Sequence, residues 1–241
     1  MLEAPTPAPS GTRLDRRSQA VLAQTPILRG LSPGDRAVLI ECFEPVRFAA
    51  GQLIYRQGEQ STGLYVVLAG KVKIGWRAAD TPDKLLAVVG PPDVFGAESM
   101  FDPGPHPDSA TALTDVRAAV MDRDQLPMCI AGRPHIAEQL MRILARGLQR
   151  TEDQITDLNF TDVPGRVAKQ LLSLSQRFGV RRDGRVHVDH NLKQAEIAQL
   201  VGASRESVNK SLSEFTSRGW ITVHGRSIVI HQAEPLARRA R

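Results

Sequence analysis

Cysteine is scarce in this chain of 241 residues. Its two cysteines, Cys42 and Cys129, are too few to build a disulfide framework or a four-cysteine metal or iron–sulfur site. The histidines show no metal-ligand spacing except in His187 and His190, a pair that better fits the end of a strand. We therefore predict no metal site and no haem or iron–sulfur cofactor.

Long apolar runs are also missing. No run approaches the roughly 18 to 20 residues that span a bilayer, and the N-terminal stretch lacks the apolar segment of a signal peptide. We therefore expect a cytoplasmic protein with no membrane partner.

The remaining composition is that of a folded, mildly basic protein. Hydrophobic residues make up 41% of the chain, and its length allows two modest domains. The formal net charge of +5 and the pI near 9.6 favour a polyanionic partner.

The most informative stretch runs from Lys193 to Phe215. Apolar residues at helical spacing lie on both sides of Gly202, which can supply the left-handed backbone of a turn, and Ala198 is small enough to let two helices cross closely. Ser204 is placed to cap the second helix. This pattern predicts a helix-turn-helix whose second helix presents its N-terminal end to base edges in the major groove.

The region from Pro45 to Met121 has the period of two that is typical of strands, with glycines between β-rich runs. It predicts an all-β roll or barrel. Two short helices are expected between Ala20 and Phe43. Residues 1–18 have no periodic apolar pattern, and we interpret them as a disordered arm.

A long, narrow apolar stripe at helical spacing follows, from Pro134 to Leu158. Two interpretations fit it: packing against the β domain of the same chain, or a two-helix seam between two copies of the chain. We favour the seam, because a dimer suits a helix-turn-helix that reads paired half-sites.

The C-terminal part predicts further elements around the helix-turn-helix. After a break at Thr161–Gly165, a helix is expected over residues 166–177 and a short strand at Val186–Val188. A hairpin over Trp220–Val223 and Ser227–His231 would complete a winged helix. The final LARRAR is basic, and we expect a solvated tail, with phosphate contact as the alternative.

A glycine-punctuated β-roll, a long helix and a winged helix, in that order, resemble the cyclic AMP receptor protein (Crp/Fnr) family of bacterial transcription regulators. The likeness is most specific in FTDVPGRVAKQLL at 160–172 and EIAQLVGASRESVNK at 196–210, which look like the actinobacterial branch. The resemblance implies a homodimer that is not an enzyme, has no catalytic residues, and has double-stranded DNA and RNA polymerase as partners.

Together the patterns and the resemblance give an α+β fold in four segments. These are a disordered arm (1–18), a cyclic-nucleotide-binding-like β-roll domain (19–133), a long dimerisation helix (134–160) and a winged helix-turn-helix DNA-binding domain (161–241).

In that family an Arg and a Glu at the start of the recognition helix read a TGTGA-type half-site, and these positions match Arg205 and Glu206. Arginine can form a bidentate contact with guanine, and glutamate can accept from cytosine N4. Lys210 matches a further basic contact and is assigned mainly to phosphate, because lysine lacks the arginine fork. The full predicted DNA-binding set is Ser204, Arg205, Glu206, Ser207, Asn209 and Lys210.

The matching ligand pocket departs from the cyclic AMP binders of the family, which carry Gly-Glu and then Arg-Ser or Arg-Thr. Here Gly96 is kept, but Ala97 takes the Glu position, and His106 and Pro107 take the place of Arg-Thr. Ala97 cannot accept the ribose hydroxyl, His106 is mostly neutral near pH 7, and Pro107 has no amide to donate. Asp108 adds a negative charge. Glu98 is expected to point to the other side of an extended backbone.

On the long helix, Thr151 matches the family's adenine-contacting hydroxyl, whereas Glu152 replaces a Ser or Asn. We therefore predict weak or no cyclic AMP dependence and no certain cofactor. A cyclic AMP-responsive regulator with a non-standard pocket stays open as an alternative.

The cysteines and the protein class leave three more interpretations open. Oxidation or nitrosation, through Cys129 above all, could bias the dimer, although buried structural thiols are the simpler interpretation. A cupin-like small-molecule-binding protein needs clustered His and Glu ligands, but His106 is the only histidine between Pro45 and Met121. A sensor that has lost DNA binding would be indicated if Arg205→Ala left function unchanged.

Overall fold

The computed structural model describes residues 6–7, 13–76, 84–102 and 104–240, with backbone alone for residues 6–7 and Ser99. They fall into two compact units. The first takes the chain up to residue 83 together with 87–149, and the second takes 84–86 together with 150–241. Of the described helices, none is long and apolar enough to cross a membrane.

Short strands dominate the first unit, as the period of two predicts. They are β1 (Thr6–Pro7), β2 (Glu44–Phe48), β3 (Leu53–Tyr55), β4 (Gly63–Ala69), β5 (Val72–Trp76), β6 (Lys84–Val89), β7 (Val94–Phe95), β8 (Ser109–Ala112) and β9 (Val116–Asp122). One sheet has the order β1-β2-β9-β4-β7, and the other has the order β3-β8-β5-β6. The β-roll predicted from the sequence is confirmed.

Helices frame this β-roll. They are α1 (Arg16–Leu22), α2 (Pro33–Glu41), α3 (Leu126–Ile130) and the long α4 (Pro134–Phe160), with 3-10 turns at Glu98–Met100 and Arg123–Gln125. The Asp15 side chain accepts from the Ser18 amide and caps α1, and the Ser32 side chain accepts from the Asp35 amide and caps α2.

Strand β4 lies between two hydrophobic cores, which explains its nearly continuous apolar sequence. Leu64 and Val66 join the core formed with the helices, whereas Tyr65 and Val67 join the core inside the roll. Because successive side chains of a strand point to opposite faces, one strand serves both cores.

The second unit is a winged helix-turn-helix. Its elements are α5 (Val163–Phe178), β10 (Gly179–Arg182), β11 (Arg185–Val188), α6 (Gln194–Leu200), α7 (Arg205–Ser217), β12 (Ile221–His224), β13 (Ser227–Ile230) and α8 (Ala233–Arg239). Its sheet has the order β10-β11-β13-β12. Both helices of the predicted helix-turn-helix and the predicted hairpin are confirmed.

Three details differ from the sequence-based predictions. The break after α4 is shorter than predicted, because the Asp162 side chain accepts from the Gly165 amide and α5 begins at Val163. Strand β10 was not predicted. The interpretation of residues 1–18 as a disordered arm is wrong where the structure describes them as regular, because β1 (Thr6–Pro7) pairs with β2 and α1 begins at Arg16. Residues 1–5 and 8–12 lie outside the described residues.

The basic C-terminal stretch is a helix, so the prediction of a solvated tail is wrong for residues 236–239. Leu236 is fully buried, and this burial anchors α8. Arg239 forms two hydrogen bonds with the Asp162 carboxylate, at 2.9 and 2.6 Å. Asp162 therefore both caps α5 and ties α8 to it.

Cys42 and Cys129 form a disulfide across a sequence separation of 87. Cys42 is the C-cap of α2, and Cys129 lies in α3, where it is almost fully buried in the core. The interpretation of the two cysteines as buried structural thiols is therefore wrong for this state. The bond joins the end of α2 to the helix that precedes α4.

We predict that the Cys42→Ser/Cys129→Ser variant unfolds more easily than the oxidised protein. Losing a crosslink over a loop of this length should lower the free energy of unfolding by about 3 to 5 kcal/mol. Chemical denaturation with and without a thiol reductant measures the free energy of unfolding. The double variant is the control, because the reductant should not change its stability. Two titratable thiols in the untreated native protein would contradict the bond.

Candidate functional site

The start of helix α7 is exposed and well capped. Gly202 has φ of +60°, the left-handed conformation that the predicted turn requires. The Ser204 hydroxyl oxygen accepts from the Ser207 amide at 3.1 Å, and the two hydroxyl groups lie 2.9 Å apart. The predicted cap at Ser204 is confirmed, and it leaves the first turn of α7 facing solvent.

The six predicted DNA-binding residues differ in what they offer a ligand. Arg205, Glu206 and Lys210 are exposed, and Glu206 and Lys210 are four residues apart, on one face of α7. Asn209 is half-buried, and its Oδ1 atom is buried without a hydrogen-bond partner among the described residues. Ser204 and Ser207 take part in the cap. The exposed charged groups at this end therefore suit base edges and phosphates.

The structure brings part of the predicted ligand pocket together around an aromatic cluster. Gly96 has φ of +72°, and a Cβ atom placed there would lie 3.5 Å from Tyr65 and 3.8 Å from Tyr55. The ring of His106 stacks on Tyr55 with a centroid distance of 3.7 Å. Gly96 and His106 therefore approach the same aromatic ring, while Ala97 is buried in the core beside the helices.

The backbone of His106 is held by the turn after β3. Its amide donates to the Glu59 carbonyl at 2.8 Å, and its carbonyl accepts from the Gly58 amide at 2.9 Å. Burial lowers the pKa of His106, with Glu59 opposing that shift, so the imidazole is neutral near pH 7. A neutral, stacked imidazole with an occupied amide is a poor phosphate anchor. Pro107 beside it is exposed.

Asp108 adds a carboxyl group to the cluster. The Tyr55 hydroxyl donates to Asp108 Oδ1 at 3.1 Å. Burial raises the pKa of Asp108 to about 6; Glu98 also raises it, whereas the Tyr55 hydrogen bond lowers it. The pKa of Tyr55 is raised as well, mainly by burial and then by Asp108. Negative charge is therefore unfavourable here, which opposes an anionic ligand.

The extended backbone predicted at Glu98 is wrong. Ala97 has helical backbone angles and Glu98 begins a 3-10 turn, so the backbone is not extended at this point. Glu98 is exposed, yet its charge contributes to the raised pKa values of both Asp108 and Tyr55. A carboxylate is therefore present near the cluster although the family's Glu position carries Ala97.

Thr151 and Glu152 lie on α4 and are exposed. They belong to the second compact unit, whereas Gly96, Ala97, His106 and Pro107 belong to the first. Their assignment to the adenine end of a ligand site stays a prediction.

Tyr55 is the residue of this site that the sequence did not single out. It pairs with Ala110 across the β3–β8 ladder, which is irregular between Leu53 and Tyr55. This register brings Tyr55 close to Asp108, two residues away from Ala110. The register would have revealed the pair, but a short strand with a bulge does not specify its register in sequence.

His190, one of the two histidines with a candidate metal-ligand spacing, has a structural role. Its Nδ1 atom accepts from the Leu192 amide at 3.0 Å, and the residue is buried. Within the described ranges, no group of three or more His, Cys, Asp and Glu side chains could hold a metal ion.

Two protein families match the chain. Residues 45–132 match the family described as "Cyclic nucleotide-binding domain", and residues 165–239 match "Crp-like helix-turn-helix domain". The "CRP-like cAMP-activated global transcriptional regulator" of Mycobacterium tuberculosis is 54% identical over 92% of this chain and 99% of its own length. The "Cyclic AMP receptor protein" of Thermus thermophilus is 29% identical over 87% of this chain and 94% of its own.

Solved structures give the same picture of the fold. FixK2 from Bradyrhizobium japonicum is similar with a TM-score of 0.74 and 24% identity, over 83% of this chain and 98% of that one. A CRP/FNR-family transcriptional regulator from Thermus thermophilus is similar with a TM-score of 0.69 and 27% identity, over 82% of this chain and 98% of that one.

The raised pKa of Asp108 predicts a pH-dependent effect of the Asp108→Asn substitution. Because the folded pKa lies above the unfolded value of 3.8, the stabilising effect of the protonated carboxyl is complete below about pH 3.8 and is lost as pH rises through about 6. The side-chain oxygen of the asparagine can still accept the Tyr55 hydrogen bond, but the amide does not ionise, so the Asp108→Asn variant does not lose stability as the pH rises. Relative to the native protein it should gain on the order of 1 kcal/mol between pH 4 and 7.

Thermal unfolding across this pH range measures the difference between the two proteins. Asp102→Asn is the matched control, because Asp102 is exposed on the segment that leads to the same cluster. A difference between native protein and Asp108→Asn that stays constant from pH 4 to 7 would contradict the burial of a charge at this position.

Proposed function

Because the chain belongs to the Crp-like family of transcription regulators, which are not enzymes, we propose that it binds a pseudo-palindromic, TGTGA-like DNA site as a homodimer with weak or no cyclic AMP dependence. The observation that carries the proposal is the exposed pair Arg205 and Glu206 on the capped first turn of α7. The proposal includes action in the cytoplasm and RNA polymerase as the protein partner.

The contacts proposed for α7 follow from side-chain chemistry. Arg205 donates two hydrogen bonds to guanine O6 and N7, and Glu206 accepts from cytosine N4. Lys210, one turn further along, is assigned to phosphate. Ser204 and Ser207 cap the start of α7. Because both already take part in the cap, we assign them at most a contact with the DNA backbone. Asn209 contributes from the half-buried side of the helix.

The homodimer is supported by the exposed apolar face of α4. Met141, Leu148 and Ile155 are more than half exposed and lie seven residues apart. Leu144 and Leu158 occupy the intervening positions of the same heptad pattern. Several large apolar side chains exposed on one stripe are costly for a lone helix in water, and a second copy of α4 would bury them. A symmetric pair of α7 helices then matches a pseudo-palindrome.

Weak cyclic AMP dependence is supported by the pocket residues, although the Mycobacterium tuberculosis relative is described as cAMP-activated. Ala97 offers no acceptor to a ribose hydroxyl, and neutral His106 stacks on Tyr55 instead of offering a fork. Asp108 repels an anion. An unpaired buried charge costs about 3 to 5 kcal/mol, which lowers affinity by roughly two to three and a half decades. Glu98, beside the cluster, is the residue that favours a non-standard cyclic AMP pocket.

A redox input is a second candidate, carried by the Cys42–Cys129 disulfide. Formation of this bond removes two electrons and two protons from two thiols, and a cellular disulfide oxidant accepts them. Nitrosation of Cys129 needs a free thiol, which the described state does not contain. DNA affinity measured with and without a thiol reductant tests this candidate. An affinity that is the same in both conditions would contradict a redox input.

We predict that Arg205→Ala weakens binding to the selected site by about 1 to 3 kcal/mol and relaxes specificity at one guanine. Lys210→Ala should weaken binding to all sequences and lower the salt slope by about 1. Selection from a random DNA library, followed by titration and sedimentation, measures the preferred site, the affinity and the number of chains per duplex. Arg238→Ala is the control, because it removes another exposed arginine, which lies on α8. Selected sites without TGTGA-like halves, or one chain per duplex, would contradict the proposal.

Restoring the family's residues should restore cyclic AMP binding. We predict that Ala97→Glu/His106→Arg/Pro107→Thr binds cyclic AMP at least about a hundredfold more tightly than the native chain, because it supplies the hydroxyl acceptor and the phosphate fork. Isothermal titration calorimetry measures both affinities, and Glu98→Gln in the native background tests whether Glu98 already contributes. A dissociation constant of the native chain for cyclic AMP in the low micromolar range would contradict the proposal of weak binding.

A further inference from the structure

Arg166, on the first turns of α5, holds three backbone carbonyls that belong to different elements. Its Nε atom donates to the Val201 carbonyl at 2.7 Å, and Nη2 donates to the Gly202 carbonyl at 3.2 Å. Nη1 donates to the carbonyl of Thr161, directly after the end of α4. One rigid guanidinium therefore links the end of α4 to the turn of the helix-turn-helix.

An apolar contact reinforces this link. A Cβ atom at Gly202 would lie 2.5 Å from Leu158 Cδ2, so the turn packs directly against the last part of α4. Val201 is the C-cap of α6, where carbonyl groups lack helical partners and a cation is favourable. The Arg166 charge thus meets the negative end of α6 at the place where Leu158 meets Gly202.

The acidic residue nearest in sequence, Asp162, is occupied by an ion pair with Arg239, so Arg166 donates to backbone carbonyls. The Asp162 carboxylate is held by Arg239 from α8 through two hydrogen bonds and also accepts from the Gly165 amide. Asp162 is therefore already occupied on both oxygens, while each nitrogen of Arg166 faces a carbonyl.

We propose that Arg166 is a positioning residue for DNA recognition, which fixes the direction of α7 relative to the end of α4. Ala203 and the capping Ser204 alone separate Gly202 from Arg205, the first residue of α7. Whatever fixes the turn therefore also fixes the reading end of the helix.

This role deepens the proposed function and rests on it. In a dimer joined along α4, the distance and rotation between the two α7 helices depend on how each turn is attached to the end of its own α4. A pseudo-palindrome is read only when both helices reach their half-sites together. A loosened attachment should therefore weaken the discrimination between half-site spacings more than it weakens non-specific attraction to DNA.

The test compares Arg166→Lys and Arg166→Gln with the native chain, with Arg238→Lys and Arg238→Gln as matched controls at an exposed arginine of α8. The probe is the duplex that the native chain selects, together with versions whose centre is longer or shorter by one base pair. Each change rotates one half-site by about 34° relative to the other. We expect both Arg166 variants to lose about tenfold or more in affinity for the selected duplex and to discriminate less between the spacings.

Non-specific affinity and its salt slope should stay unchanged in Arg166→Lys. Hydrogen exchange in residues 199–205 should be faster in this variant than in Arg238→Lys, and this measurement needs no DNA. Unchanged spacing discrimination in folded Arg166→Lys would overturn the proposal, and so would unchanged exchange. A salt slope smaller by about 0.9 in Arg166→Gln, with equal losses on all DNA, would overturn it as well and instead identify a phosphate contact. If the native chain selects no DNA site with two half-sites, the proposed function is wrong. The hydrogen-exchange measurement would still decide whether Arg166 fixes the turn.

Discussion

The close packing of Gly202 against Leu158 is the constraint on which the position of the first turn of α7 depends. The turn needs a left-handed residue, and the end of α4 needs a neighbour without a side chain. Glycine meets both requirements at once. The contact brings the Val201 and Gly202 carbonyls within reach of Arg166, and it places the capped first turn of α7 at a fixed distance from the end of α4. Arg205 and Glu206 acquire their direction from that arrangement.

The cluster around Tyr55, His106 and Asp108 is governed by a different balance. Its polar groups satisfy one another: the Tyr55 hydroxyl donates to Asp108, and the amide of His106 donates to Glu59. Groups paired in this way have little left to offer an anion, and burial already disfavours the charge on Asp108. A ligand entering here would have to replace existing hydrogen bonds, which is the physical basis of our proposal that cyclic AMP binds weakly.

Local patterns in the sequence predicted the elements well. The helix-turn-helix, the cap at Ser204 and the C-terminal hairpin depend on residues a few positions apart, where spacing determines geometry. The contacts that were missed join distant parts of the chain. Cys42 meets Cys129 across 87 positions, and Arg239 meets Asp162 across 77. Neither pairing follows from spacing, because each depends on how the elements pack.

The backbone at Glu98 shows how a sequence-based prediction can also fail at the predicted ligand pocket. The sequence predicts an extended backbone there, whereas Glu98 begins a 3-10 turn, and the Glu98 charge raises the pKa values of Tyr55 and Asp108. The roll is built from short strands with an irregular register at β3, so one residue of shift changes which side chains meet. The output end has no such freedom, because α6 and α7 carry their own periodicity. Sequence therefore specifies the helix-turn-helix more firmly than it specifies which side chains meet inside the β-roll.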